Sequence, residues 1–473
     1  MIELKDLSFT YSGHTPLFQN VSLTIESGAH VALSGGNGVG KSTLALLIKG
    51  LLMPGSGSLR VDGFDADSPE GAESIMRRVG IVFQNPENTF VATTVERELA
   101  FGLENIAVAP AEMRERVDQA LTDFDLERYR YRNPSQLSGG EKQRLALAAV
   151  MIMRPEHLIL DEPTSLLDPW GRAHILDLIH ETARSGATVV HITQFADEAA
   201  QADRMIVFGR DGILADGKSE DILGSGCADH CVRVSDVSDA SRFMNGEIPS
   251  DISSSTSDKD ISPLLRLEGV GHCYSGAGSD GSRALKDIDL KIAAGTATAL
   301  IGKSGSGKST LLEIAAGLIR PSEGKCIETK GLVKAMAFQF PEDQIFGEDI
   351  ASYVAFGPKN LGLNAAEVEL RVHDALSSVG FEAESVLTLD PLSQSGGEQR
   401  RIALAGVLAI NPGLLILDEP TAGLDREGVD RTVAVLKKYI DGGGTLLFST
   451  HDFAVARCLA DSVVLLESPN NSL

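Results

Sequence analysis

Two strings of nine residues carry the plainest chemistry in the chain. Gly35, Gly36, Asn37, Gly38, Val39, Gly40, Lys41, Ser42 and Thr43 form one; Gly302, Lys303, Ser304, Gly305, Ser306, Gly307, Lys308, Ser309 and Thr310 form the other. Glycines at this spacing let a backbone curl until its N–H groups face one point, and a helix beginning at the lysine adds its positive end. Such a cradle suits a polyphosphate. Lys41 and Lys308 are placed to reach the β- and γ-phosphates, and Ser42 and Ser309 to ligate Mg2+. An ordinary glycine turn would explain one such string, but hardly two that each follow an apolar strand and precede a helical pattern.

A second pair of strings ends apolar runs on adjacent carboxylates: Leu158-Ile-Leu-Asp161-Glu162 and Leu415-Ile-Leu-Asp418-Glu419. At a strand end Asp161 and Asp418 would face a bound metal, and Glu162 and Glu419 would polarise an attacking water as general base or water-orienter. Without a phosphate loop upstream, the same pair would read as a solvated strand terminus.

These residues must be positioned by elements, and the elements repeat. Lys308 follows Lys41 by 267 residues, Asp418 follows Asp161 by 257, and Ser395-Gly-Gly-Glu follows Ser138-Gly-Gly-Glu by 257, in the same order. The chain is therefore one unit used twice. Within each half short apolar runs (Val31–Ser34, Leu158–Leu160; Ala299–Ile301, Leu414–Leu417) alternate with helix-period segments such as Lys41–Leu52 and Lys308–Leu318, predicting α/β domains with a largely parallel sheet. Residues 236–260 hold seven serines, six acidic residues and few large apolar ones. They read as a flexible tether, giving a first domain over 1–225, a linker over 226–262 and a second domain over 263–473.

Composition narrows the partners. The 473 residues carry a net charge of −24, with 43% hydrophobic residues. That is enough for packed cores, but the acidity argues against a nucleic-acid partner. No stretch approaches the ~20 apolar residues of a membrane span, and the opening MIELKDLSFTY reads as an alternating strand rather than a signal peptide. Five scattered cysteines suit reduced thiols in a cytoplasmic setting. Cys227 and Cys231 could form half of a metal clip, but no second pair of ligands accompanies them.

With these motifs in hand, the sequence resembles the ATP-binding cassette family over nearly all its length outside the linker. The signature strings Ser138, Gly139, Gly140, Glu141 and Ser395, Gly396, Gly397, Glu398 carry the resemblance further; Gln394 stands where the family usually has leucine. The resemblance implies two tandem P-loop nucleotide-binding domains, each a RecA-like α/β core with a helical subdomain and an antiparallel β-subdomain. It implies ATP and Mg2+ as ligands, with an intramolecular cassette pair in which each phosphate loop works with the opposite signature. It further implies that Tyr11 and Tyr274 stack on adenine, that Gln84 and Gln339 sense Mg2+ and a transmembrane partner, that Asp168 and Asp425 are the D-loop aspartates, and that His451 is the switch histidine. The first half has Gln194 at that position, which predicts slower hydrolysis there.

The strings after the Q-loop glutamines are more specific. Gln84-Asn-Pro-Glu87-Asn-Thr-Phe90 and Gln339-Phe-Pro-Glu342-Asp343-Gln-Ile-Phe346 resemble the paired ATPases of energy-coupling factor importers, which take up vitamins, thiamine precursors, cobalt or nickel. This implies a membrane T-component whose helices dock beside Glu87, Phe90, Glu342, Asp343 and Phe346, a separate substrate-binding S-component, no nucleic acid, and a peripheral place on the cytoplasmic face of the membrane. A sugar-type importer ATPase and a ribosome-associated tandem cassette are the alternatives. The Ser-rich acidic tether and the negative charge speak against the second.

Overall fold

The computed structural model describes residues 1–11, 16–165, 167–209, 212–228, 232–233, 263–274 and 282–467. The chain divides into two compact units, Met1–Ser235 and Asp236–Leu473. Most of the tether expected over 226–262 lies outside the described residues, as does Cys231. Ala228 and Val232, at its start, are buried in a small cluster with Ala199, Met205 and Ile222 of the first unit.

In the first unit a six-stranded sheet runs Gly212–Lys218, Arg204–Gly209, His30–Gly35, Thr188–Ile192, His157–Asp161, Val79–Val82. All neighbours are parallel except the edge hairpin that the first two strands form. The central strands are buried along their whole length, which is why they read as continuous apolar runs rather than alternating ones. A separate antiparallel sheet orders Phe18–Ile25, Ile2–Phe9, Ser56–Val61 and Phe64–Asp65. Here one face is buried, as the pattern of Phe18–Ile25 shows. The helices Val95–Asn105, Pro110–Asp123 and Gly139–Met151 pack around Leu99, Leu103, Leu121 and Leu145 in a third layer.

The second unit repeats this plan with a five-stranded parallel sheet in the order Lys334–Ala337, Leu414–Leu417, Thr445–Ser449, Ala297–Gly302, Ser462–Leu466. An antiparallel sheet joins Ser282–Ile292, Leu265–Tyr274 and Glu323–Glu328. Its helices are Ile350–Asn360, Ala365–Ser378 and Gly396–Ala409. Each unit thus combines an α/β core, an antiparallel β layer and a helical layer, the fold expected.

The helices after the two glycine loops end sooner than their apolar periodicity predicts, at Lys49 and Ala316. Gly50 (φ 78) and Gly317 (φ 81) adopt the left-handed conformation and turn their N–H groups back to carbonyls of the last turn. That is how glycine closes a helix.

Candidate active site

Register brings the chemistry together at the carboxyl ends of the parallel strands, where ligands of such sheets bind. Leu33, just before the first glycine loop, lies between Ile192 and Ile206, and Asp161 pairs with Ile192. The loops that follow three adjacent strands therefore open side by side. In the second unit Leu300 lies between Ser449 and Val464.

Each glycine loop winds around its lysine. Lys41 Nζ donates to the carbonyls of Gly35 (2.8 Å) and Gly36 (2.9 Å), and Lys308 Nζ to those of Gly302 (2.8 Å) and Lys303 (3.1 Å). Gly307 has φ 92, and a Cβ there would stand 2.4 Å from the Ala284 carbonyl oxygen. Only glycine fits this cradle. Ser306 Oγ is buried within the loop and has no hydrogen-bond partner among the described residues. The Ser42 hydroxyl and the Lys41 ammonium both draw the Asp161 carboxyl down against the rise that burial causes, so a hydroxyl and a carboxylate converge beside the lysine. A glycine loop with no room for a Cβ at Gly307, a cation, and a hydroxyl–carboxylate pair fit a polyphosphate with its Mg2+.

Tyr11 and Tyr274 stand at the rim. Their hydroxyls lie 3.1 Å from Thr43 Oγ1 and Thr310 Oγ1, in the helices that follow the loops. Each ring meets a neighbour edge-on, Phe9 and His272 respectively, at 4.8 Å. Both tyrosines remain exposed at 41% and 45%, leaving ring surface open to a planar ligand.

Glu162 and Glu419 are the buried carboxylates of the site. Both have φ 48, a left-handed conformation shared with a few non-glycine turn residues such as Ala107 and Arg154 and uncommon for a glutamate at a strand end. Burial pushes both up to about 7, against the pull of Lys41 and Lys308. Burial likewise raises Asp161, with Ser42 and Lys41 opposing.

The partners of these glutamates differ between units. In the first, Gln84 Nε2 and Gln194 Nε2 donate to Glu162 Oε2 at 3.0 and 3.1 Å. Gln194 Oε1 is buried without a hydrogen-bond partner among the described residues. In the second, the His451 N–H donates to Glu419 Oε2 at 3.2 Å, and His451 Nε2 lies 3.2 Å from Oε1. Burial and the Lys308 ammonium hold that imidazole well below its usual range, so it is neutral. Ser449 Oγ donates to Asp418 Oδ1 (2.5 Å) and accepts from the Glu419 N–H (2.9 Å). In the first unit Ile192 occupies that strand end, and its carbonyl takes the Glu162 N–H (3.0 Å). Gln339 enters through its backbone, its carbonyl accepting from Arg400 at 3.0 Å.

The signature and D-loop residues cap helices. Ser138 and Ser395 begin Gly139–Met151 and Gly396–Ala409 with reciprocal bonds to Glu141 and Glu398, satisfying orphan N–H groups at the positive helix ends. Asp168 and Asp425 accept from the N–H groups of Gly171 and Gly428, both at 2.8 Å.

Beside Gln84 runs a groove of about 530 Å³ whose lining includes Phe83, Phe90, Phe101, Ile106 and Met153. In the second unit Phe346 and Phe356, 46% and 51% exposed, meet edge to face at 4.8 Å. Glu342 and Asp343 are exposed next to them. The Glu87 side chain lies outside what is described.

Comparison with known proteins follows the same division. The ABC transporter family model matches residues 18–165 and 285–422, once in each unit. A putative ABC transporter ATP-binding protein of Bifidobacterium longum (strain NCC 2705) is 34% identical over 98% of this chain, which spans 64% of that protein's length. A putative HMP/thiamine import ATP-binding protein of Bacillus subtilis (strain 168) is 32% identical over 98% of this chain and 90% of its own. An energy-coupling factor transporter ATP-binding protein of Methanosarcina acetivorans is 44% identical over 47% of this chain and 81% of its own. Among solved structures, a chain in a model of ribosome-bound archaeal Pelota and ABCE1 covers 97% of this chain and 76% of its own, with 20% identity and a TM-score of 0.67; it shows the fold alone. Two matches to one family model, and relatives of the same description spanning both units, place the chain in the ABC transporter family as a tandem-cassette ATPase.

Proposed function

We propose that the chain is the ATP-hydrolysing energy-coupling subunit of an energy-coupling factor importer, driving uptake of a vitamin or metal ion through separate T- and S-components. The reading rests chiefly on the surface beside each Q-loop. The Gln84-Asn-Pro and Gln339-Phe-Pro strings lead into an apolar groove in one unit and an exposed aromatic pair, next to Glu342 and Asp343, in the other. Apolar surface bordered by charged side chains, Glu342 and Asp343 in the second unit and Arg77, Arg78, Glu73 and Glu156 in the first, suits a helix that carries apolar anchors together with charged residues. The names of the Bacillus and Methanosarcina relatives support it. A ribosomal partner has less in its favour, since a net charge of −24 is repelled by phosphate backbones.

At each site the loop N–H groups and Lys41 or Lys308 would hold the triphosphate, and Tyr11 or Tyr274 the adenine. Mg2+, held by Ser42 with Asp161 and Gln84, or Ser309 with Asp418 and Gln339, would neutralise phosphate charge. Glu162 and Glu419, with pKa values near 7, can take a proton from water at neutral pH and release it again. Among the described residues no helix is long and apolar enough to cross a membrane; in this reading the partners would hold the chain on the cytoplasmic face.

The test is affinity purification of the tagged full chain from gently solubilised native membranes, with mass spectrometry of what accompanies it. A small polytopic T-component with one or more S-components is expected. A sugar permease or ribosomal proteins in their place would overturn the assignment while leaving the ATPase intact.

A further inference from the structure

Behind the first site lies a buried charge that the reading above does not use. The Glu198 side chain is fully buried, and its carboxylate gathers the loops around it. Thr164 Oγ1 donates to Oε1 (2.5 Å), Arg172 Nε donates to Oε1 (2.7 Å), and Thr193 Oγ1 donates to Oε2. His191 Nε2 lies 3.4 Å from Oε2. Thr164 is two residues beyond Glu162, and Thr193 immediately precedes Gln194. Arg172 stands in the first turn of the helix that Asp168 caps, and its guanidinium also binds Asp197 through both carboxylate oxygens. One carboxylate thus ties together the loops after Glu162 and before Gln194 and the first turn of the helix that follows.

The internal repeat supplies a control. At the constant offset of 257 residues that relates Asp161 to Asp418, Arg172, His191 and Glu198 become Val429, Phe448 and Val455. Phe448 and Val455 are buried in the apolar core of the second unit. The same fold therefore packs these positions without charge, and a buried ion cluster is no better for stability than apolar side chains of similar size. The residue at the switch position differs with it, Gln194 against His451, as do the strand end before it, Ile192 against Ser449, and the residue after it, Phe195 against Asp452. A glutamine side chain has free torsions and an unpartnered Oε1 here, so its orientation must be imposed from outside.

We propose that Glu198, braced by Arg172, is a positioning residue of the first site: it fixes the ends of the flanking loops so that the Gln194 amide stays on Glu162. The second unit achieves this with His451 and Ser449 instead. The inference rests on Glu162 acting on the attacking water.

The experiment uses the full chain carrying Glu419→Gln, so that the remaining turnover reports the first site. Two variants are added separately: Glu198→Gln, and the triple change Arg172→Val/His191→Phe/Glu198→Val, whose residues the second unit already accommodates. Each is expected to lower kcat about tenfold while KM and the affinity for a non-hydrolysable ATP analogue stay within about twofold. Adding Ile192→Ser and Gln194→His to the triple variant should recover most of the loss. Unchanged kcat in both variants would overturn the inference. So would a parallel loss of analogue binding and melting temperature, or failure of the five-residue exchange to restore turnover. Glu162→Gln in the same background separates the two levels: if it leaves turnover unchanged, the reading of Glu162 falls and the inference with it; if it abolishes turnover while the Glu198 variants do not, only the inference falls.

Discussion

Glu162 and Glu419 combine two costs, a left-handed backbone and a buried carboxyl group. Each holds φ 48, and left-handed backbone costs an L residue roughly 1–2 kcal/mol. Each is also buried enough for its carboxyl group to be pushed up to about 7. The second cost has a sign that can be measured. Because the folded pKa lies above the unfolded one, the native chain binds more protons between about pH 4.5 and 7. Stability contributed by the protonated carboxyl is therefore present at low pH and lost as pH rises through about 7. Replacing Glu162 by glutamine removes the group that must ionise, so the variant should gain melting temperature relative to the parent between pH 5 and pH 8. A pKa raised from 4.5 to about 7 corresponds to a gain on the order of 3 kcal/mol. Equal differences at the two pH values would mean that Glu162 ionises as it does in water. The residue types and their place at a strand end are legible in the sequence because the Asp-Glu motif is local. The left-handed φ and the burial are not, since both depend on the neighbouring strand and on Lys41.

At the scale of elements, the glycine loops show which constraints are steric and which conformational. Gly38 has φ 77 and open space for 4 Å around the place a Cβ would take, whereas Gly307 has φ 92 and the Ala284 carbonyl oxygen at 2.4 Å. Gly38→Ala should therefore incur backbone strain of about 1 kcal/mol and keep nucleotide binding at its own loop. Gly307→Ala must displace the strand Ser282–Ile292 and should lose nucleotide binding at the second loop. Calorimetric titration with a non-hydrolysable ATP analogue, read as nucleotide bound per chain, checks both. If Gly307→Ala binds as much as the parent, the loop is looser than its contacts indicate. Elements of this kind are what the sequence reveals best: the buried strands and the loop-to-helix junctions all announce themselves by short-range pattern. The helix ends at Lys49 and Ala316 fall short of the periodicity because Gly50 and Gly317 override it. The antiparallel layer and the helical layer are implied by resemblance rather than by periodicity. The Glu198 cluster left no signal, because Thr164, Arg172, His191 and Thr193 are ordinary residue types that only the fold assembles.

For the molecule as a whole, the repeat makes two units of one fold but not of one chemistry. In the first, two amide groups donate to Glu162, and an amide neither accepts a proton at neutral pH nor exchanges one with the carboxylate. In the second, a neutral imidazole lies beside Glu419. It can donate from one nitrogen and accept at the other, so it can pass a proton as charge develops. If turnover follows this difference, most of the steady-state hydrolysis belongs to the second unit. Glu419→Gln should then lower the ATPase rate of the full chain by about tenfold or more, and Glu162→Gln by about threefold or less. Gln194→His introduced beside Glu419→Gln should raise the residual rate, since it supplies the missing imidazole to the first site. Equal losses in the two single variants would sink the asymmetry. They would leave Gln194 as a tolerated replacement whose orientation, secured from behind by Glu198, is sufficient for the chemistry.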